Sequence, residues 1–384
     1  MTFRARILAA SSLTPFVNSL IAIALAFLVG GLFLEARGKD AIEAHRILFE
    51  RGLGDRDGLT ETFKQMAPLL IVSGGLLISL RAGVWNIGID GQFMVGALMA
   101  GVTGAALAGD LSRWLMLVAA AVMGFAGGLL WATPPALLRV RWGLNEIITT
   151  LMMNYVALNL TSWLVKGPAR DKTRVAPETK KIPIADRLPA IPGTEVHVGL
   201  IVGVVVVVLV AVLFRSTVIG YMLNVLGRNP RAAVHAGLPV GRLTAMALLL
   251  SAGFAGLAGA NDVLGVQGFF KANWDPGYGF TAFALVYLAR LNPAWLPPFA
   301  FFFSFLLIGG DSMPRRADVP TYYVEMLEGL MLIFFAAVVY FERLYAPGRR
   351  PLTEADETTQ SGVPSGSLSP GHPQGPSSVL GDPS

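Results

Sequence analysis

Long apolar runs, separated by short polar stretches rich in glycine, asparagine and arginine, set the rhythm of this chain. SSLTPFVNSLIAIALAFLVGGLFL (11–34), MAPLLIVSGGLLISL (66–80) and WLMLVAAAVMGFAGGLLWATPPALL (114–138) come first. IITTLMMNYVALNLTSWLV (147–165), VHVGLIVGVVVVVLVAVLF (196–214), LTAMALLLSAGFAGLAGA (243–260) and MLIFFAAVVYF (331–341) follow. A bilayer core needs roughly 20 apolar residues per helix, and several runs meet that length. Buried helices of a soluble domain seldom reach it so many times. The pattern predicts an all-α polytopic membrane protein of about ten spans, at 13–34, 66–80, 92–109, 114–138, 146–165, 197–214, 243–264, 278–291, 296–310 and 323–342.

Between the spans lie two polar excursions expected on one side of the membrane. Residues 35–62 are mixed in charge and helical in pattern over their first half; residues 166–195 are proline-rich and irregular. The main loop on the other side is 215–242, with Arg215, Arg228, Arg231 and Arg242 and no acid, which suits the cytoplasm. The seven Lys or Arg residues of 166–195 pull the other way, partly offset by Asp171, Glu178, Asp186 and Glu195. Both termini are expected inside. A transmembrane domain over 1–350 would then be followed by a tail, 351–384, with the composition of a disordered segment.

Composition agrees with the pattern. Hydrophobic residues make up 54% of the 384 and charged ones 14%, against about 25% charged in soluble domains. Mean hydropathy is +0.59 and net charge +5. The absence of cysteine excludes disulfides, iron–sulfur centres and thiol catalysis. Four scattered histidines make no metal set, and no cofactor is expected. Clustered basic stripes with interleaved aromatics are missing, so nucleic acid is not an expected partner. The first apolar run is too long for a signal peptide and reads as an uncleaved span.

Helix packing is signalled by small residues. Ser251, Ala255 and Gly259 recur at four-residue spacing beside Ala252, Gly256 and Ala260, and Gly124 with Gly128 repeats the pattern. In lipid such residues let helix backbones approach closely.

Three polar constellations interrupt this frame. RAGVWNIGIDGQFMVG (81–96) sets Arg81, Asn86, Asp90 and Gln92 among four glycines, which suggests a broken helix or re-entrant turn; an interfacial loop would carry the same residues. WGLNEIITTLMMNYVALNL (142–160) places Glu146 in a first helical turn and stripes Asn145 with Thr149, and Thr150 with Asn154, along the helix. That suits either a hydroxylated neutral ligand or hydrogen bonding between helices. LGRNPRAAVHAGLPVGR (226–242) predicts a short helix capped by Asn229, begun by Pro230 and stopped by Gly237. Its Ala-rich surface fits docking into a partner groove, with a plain structural loop as the alternative. No GxxxxGK[ST] occurs, since GPARDKT (167–173) lacks the second glycine; the chain has no phosphate loop of its own. No Ser-His-Asp, HExxH or paired-carboxylate set emerges, so an embedded enzyme is disfavoured.

In this order, RAGVWNIGIDGQ, GLNEIITTLMMNY, GRNPRAAVHAGLPVGRLTAMALLLSAGFAGLAGA and GYGFTAFALVYLARLNP (277–293) resemble the permease subunits of nucleoside and simple-sugar ABC importers. These are bacterial inner-membrane proteins that work with a basic-membrane-protein-type lipoprotein. The resemblance runs over roughly 60–342 and leaves out the 35–62 insert and the tail. It implies a non-catalytic membrane subunit paired with a second permease, commonly a paralogue. A separate ATPase would sit in the cytoplasm, and a substrate-binding lipoprotein outside. It also implies a pathway near Asn86, Asp90, Gln92, Asn145, Glu146 and Asn154. Coupling to the ATPase would run through Gly227, Arg228, Asn229, Pro230, Ala232, Ala233 and Gly237. Asp90 stands where the family more often has glutamate, with the same charge on a shorter arm. The rival from another class is an ion-coupled secondary transporter of a small polar solute, for which Asp90, Asp262 and Glu325 are the candidate carboxylates.

Overall fold

The computed structural model describes residues 3–345; the expected tail at 351–384 lies outside them. α1 (Phe3–Ala36) leads to α2 (Ala41–Phe49), a π-helical turn and α3 (Arg56–Arg81). α3 starts at Arg56, inside the stretch expected as a polar excursion to 62. Asp55 caps it by accepting from the Gly58 N–H at 2.6 Å, and Asp57 lies in its first turn. A well-capped helix start tolerates polar residues that an apolar pattern cannot detect.

α4 (Ile89–Leu107), α5 (Arg113–Trp142) and α6 (Glu146–Lys166) follow. Next come α7 (Gly199–Ser216), α8 (Val218–Arg228), α9 (Pro230–His235) and α10 (Val240–Asp262). A π-helical turn at Val263–Gln267 ends α10, and α11 (Tyr278–Leu288), α12 (Leu296–Gly310), α13 (Met313–Ala317) and α14 (Tyr323–Tyr345) complete the order. Among the described residues, eight stretches are long and apolar enough to cross a membrane, drawn from α1, α3, α5, α6, α7, α10, α12 and α14. The other two expected spans are different objects. α4 has 19 residues, but Asp90 and Gln92 in its first turn lower its apolarity. α11 has 11 residues, about 16 Å of helix against a core of about 30 Å, so it goes only part of the way.

Residues up to Val339 make one compact unit, and a second begins at Tyr340. In the first, α3 is the central post, with Leu69 to Val72 and Leu76 to Leu77 wholly buried. A helix apolar all round belongs in such a centre. α10, α7, α11 and α12 pack on it, and α10 is also clasped by α4 and α5. There the small residues meet backbone to backbone. A Cβ placed on Gly96 would lie 2.3 Å from the Gly256 Cα, and one on Gly256 would lie 2.2 Å from the Gly124 carbonyl. Gly128 approaches the Ala252 carbonyl as closely. By contrast α6 and α7 carry exposed apolar faces, among them Ile148, Tyr155, Val208 and Leu209.

Residues 166–195 lie across the segment that follows α10. The Thr179 N–H donates to the Phe270 carbonyl at 2.9 Å, Ile182 to Gly268 at 2.8 Å and Leu188 to Leu264 at 3.0 Å. The opposite end gathers the C-terminal end of α3, the start of α6 and α8–α9. Arg81 of α3 lies over the Phe214 ring at 4.6 Å and donates to the Leu291 carbonyl at 2.8 Å. Both candidate functional stretches meet at this end.

Candidate translocation turn and docking segment

After Arg81 the chain leaves the helix and runs back along α11 before α4 begins at Ile89. Gly83 has φ +73°, a left-handed conformation in which a side chain is strained. Trp85 lies near parallel to Phe283, ring centres 6.4 Å apart, and 5.9 Å from Tyr287. Buried irregular backbone must find hydrogen-bond partners, and so must the first N–H groups of α4. α6 supplies most of them. Thr150 Oγ1 accepts from the Ile87 N–H at 3.2 Å. Asn154 donates to the Ile87 carbonyl at 2.8 Å and accepts from the Gly91 N–H at 2.9 Å. Asn154 is eight residues beyond Glu146, about 12 Å along α6 at 1.5 Å per residue. The turn is thus re-entrant, lying a helical turn or more above the start of α6.

Asn86 and Gln92 face each other. Each amide nitrogen donates to the other's oxygen, at 2.8 and 2.9 Å, and Asn86 also donates to Ser251 Oγ on α10 at 3.1 Å. The Gly88 N–H donates to Asn86 Oδ1 at 3.2 Å. Both side chains are buried, so their hydrogen-bonding capacity is used inside the protein. Asp90, like Asn154, is partly exposed. Its Oδ1 accepts from the Gly279 N–H at 2.6 Å, in the first turn of α11. Asn145 is exposed and caps α6, accepting from Ile147 N–H at 2.9 Å, while Glu146 pairs with Arg139 at 3.2 Å. Of the six pathway candidates, the structure brings together Asn86, Asp90, Gln92 and Asn154; Asn145 and Glu146 sit apart at the helix end.

α8 and α9 form the candidate docking segment. Asn229 Oδ1 accepts from the Ala232 N–H at 3.0 Å, Pro230 opens α9, and Gly237 ends it at φ +72°. Arg228, Asn229, Pro230, Ala232 and Gly237 are exposed. Ala233 is not: it is wholly buried within the chain, and its neighbour Val234, 61% exposed, points outward instead. A six-residue helix is too short for its pattern to tell these faces apart. Gly227 is the joint to the turn. A Cβ there would lie 1.9 Å from the Arg81 carbonyl oxygen, and one on Gly83 would lie 3.3 Å from the Gly227 Cα. The docking segment and the turn touch through bare backbone.

Neither this contact nor the burial of Glu328 is visible in the sequence pattern. Of the rival's carboxylates, Glu325 is exposed, whereas Glu328, three residues on, is buried and bonded by the Thr281 hydroxyl. Asp262 is buried near Tyr278, whose hydroxyl accepts from the Gln65 amide at 2.5 Å. Nothing in the local pattern of 323–342 separates Glu328 from Glu325; their difference comes from packing against α11.

The sequence model of the family described as "Branched-chain amino acid transport system / permease component" matches residues 58–336. The glucose ABC transporter permease protein TsgB13 of Haloferax volcanii is 34% identical over 86% of this chain and 88% of its own. The nucleoside ABC transporter permease protein NupB of Lactococcus lactis is 26% identical over 89% of this chain and 96% of its own. The guanosine ABC transporter permease protein NupP of Bacillus subtilis is 29% identical, covering 83% and 92%.

Proposed function

We propose that this chain, which belongs to the family of branched-chain amino acid transport system permease components, is the membrane-spanning subunit of an ATP-driven importer of nucleosides or a related simple sugar. The observation that carries this reading is the extent of the match. Relatives named for glucose, nucleoside and guanosine ABC transport align along most of the chain, and the family match takes in both the re-entrant turn and the docking segment. With no phosphate loop, ATP hydrolysis falls to a separate ATPase subunit. A second permease completes the pathway, and an extracytoplasmic binding lipoprotein delivers cargo. The docking segment and both termini then face the cytoplasm.

In this account α9 offers Ala232 and Val234 to the ATPase, and Ala233 holds α9 to the rest of the permease. ATP binding in the partner favours one permease conformation by binding it more tightly, which is all a ligand can do to a conformational equilibrium. Displacement of α8–α9 passes through Gly227 to Arg81 and Gly83, and from that turn to α4 and α11. Asp90, tied to the first turn of α11, and Asn154, holding the turn to α6, lie where those elements part. Asn86 and Gln92 brace the turn.

Uptake of labelled guanosine and glucose in cells with and without the gene tests the reading. Loss of ATP-dependent uptake of one of them supports it; unchanged uptake of both, in a strain with no redundant system, overturns it. The docking face has its own test. Val234→Asp leaves membrane abundance intact and lowers uptake by roughly tenfold or more, because a charge buried unpaired at an interface costs several kcal/mol. Ala233→Glu lowers abundance as well. Equal behaviour of the two variants removes the assignment of faces.

A further inference from the structure

A cavity of about 620 Å³ opens between the start of α11, α12 and α14, clear of the re-entrant turn. That volume is within the roughly 300–1,000 Å³ of small-molecule sites. Asp275, Phe280, Thr281, Tyr322, Glu325 and Glu328 line it, and among the described residues no lysine or arginine does. Glu328 is 1% exposed, and its two oxygens share one donor, the Thr281 hydroxyl, at 3.0 and 2.9 Å. A carboxylate has about four acceptor directions, and one hydroxyl proton fills one of them. An under-occupied acid buried among membrane helices is costly, and such residues mark solute pathways. Beside it the Phe280 and Tyr322 rings are 49% and 55% exposed.

We propose that this cleft is a transit subsite for the hydroxylated ring of the cargo, an inference that rests on the import reading above. Nucleosides and glucose share a neutral ring bearing adjacent hydroxyls. Those hydroxyls donate to the exposed carboxylates of Glu325 and Asp275 in short charge-assisted hydrogen bonds and pair with the buried Glu328 carboxyl group. The apolar face of the ring lies on Phe280 and Tyr322, as flat hydrocarbon surfaces favour. An organic ammonium ion would be held by several carboxylates at once, which opposes the release that passage requires. The cleft is also wired to the turn. Gly279, whose N–H is held by Asp90, immediately precedes Phe280, so motion of the turn moves the wall of the cleft.

The chain has no cysteine, so Tyr322→Cys and Phe280→Cys each carry a single thiol. In the complete importer in membranes, a small water-soluble thiol reagent should label both positions. Saturating guanosine or glucose should slow labelling about tenfold at ten times the Kd of the cleft. Glu325→Gln in the same background should raise the half-protecting concentration about tenfold, as loss of one charge-assisted hydrogen bond implies. Uptake that proceeds with no protection at either thiol overturns the cleft and leaves the import reading standing. Protection by a quaternary ammonium ion but not by either hydroxylated ligand overturns it as well. Failure of the import reading is separately visible, as the absence of uptake of both ligands when every subunit is present.

Discussion

Two glycine-rich regions of this molecule use the same residue in opposite ways. In the seam of α4, α5 and α10, glycines stay helical, and their missing side chains let three helices touch along their backbones. In the turn between α3 and α4, Gly83 serves conformation, and the backbone that it frees from the helix is held by an amide and a hydroxyl from α6, while the Asn86 side chain donates to Ser251 on α10. Where Gly96, Gly124, Gly128 and Gly256 meet, the seam is backbone against backbone. The turn is held by separate hydrogen bonds, each of which a small displacement can break and remake. A rigid seam beside a remakeable turn is what a permease needs if force applied at α9 is to change the surroundings of Asp90 without unpacking the bundle.

The largest effect should follow an assault on the seam. Gly256→Leu puts its first carbon 2.2 Å from the Gly124 carbonyl oxygen and 2.8 Å from the Gly128 nitrogen, both of them backbone of α5 and neither flexible enough to yield. Overpacking costs about 1–3 kcal/mol where side chains can adjust, and more is expected here. Folded protein recovered from membranes should fall sharply, as read by size-exclusion profile and melting temperature. A normal melt would mean that the helices are not in backbone contact.

Asn86→Leu comes next. It leaves the buried Gln92 amide without its partner, at about 1–3 kcal/mol. Adding Gln92→Met should return part of that stability, because removing both polar groups is cheaper than orphaning one. If Asn86→Leu melts normally yet abolishes uptake, Asn86 lines the route and the bracing role is wrong. Gly83→Ala is the mildest of the three, about 1–2 kcal/mol for a side chain held at positive φ. An unchanged melt there would show that the turn is free to choose another conformation.

Much of this arrangement was legible in the residues. Apolar run length placed the spanning helices, and four-residue spacing of Ser251, Ala255 and Gly259, with Gly124 and Gly128, marked the seam. The capped helix at 229–237 was written in Asn229, Pro230 and Gly237. The start of α3 was hidden because capping by Asp55 needs no apolar signal. α11 resembled a span because composition reports apolarity and says little about where a helix stops short. Ala233 and Val234 could not be told apart over six residues, and Glu328 could not be told from Glu325, since burial was decided by elements distant in sequence. The partnership of Asn86 with Gln92 and Ser251 likewise depends on where α10 passes.

The proposed coupling runs through the joint between the candidate docking segment and the turn, and Gly227→Ala addresses it with a single methyl group, placed 1.9 Å from the Arg81 carbonyl oxygen. The informative measurement is the ratio of cargo transported to ATP hydrolysed in the reconstituted importer, with permease abundance matched to the parent protein. Hydrolysis should persist while transport per ATP falls steeply. An unchanged ratio would contradict the transmission of force through Gly227 and Gly83.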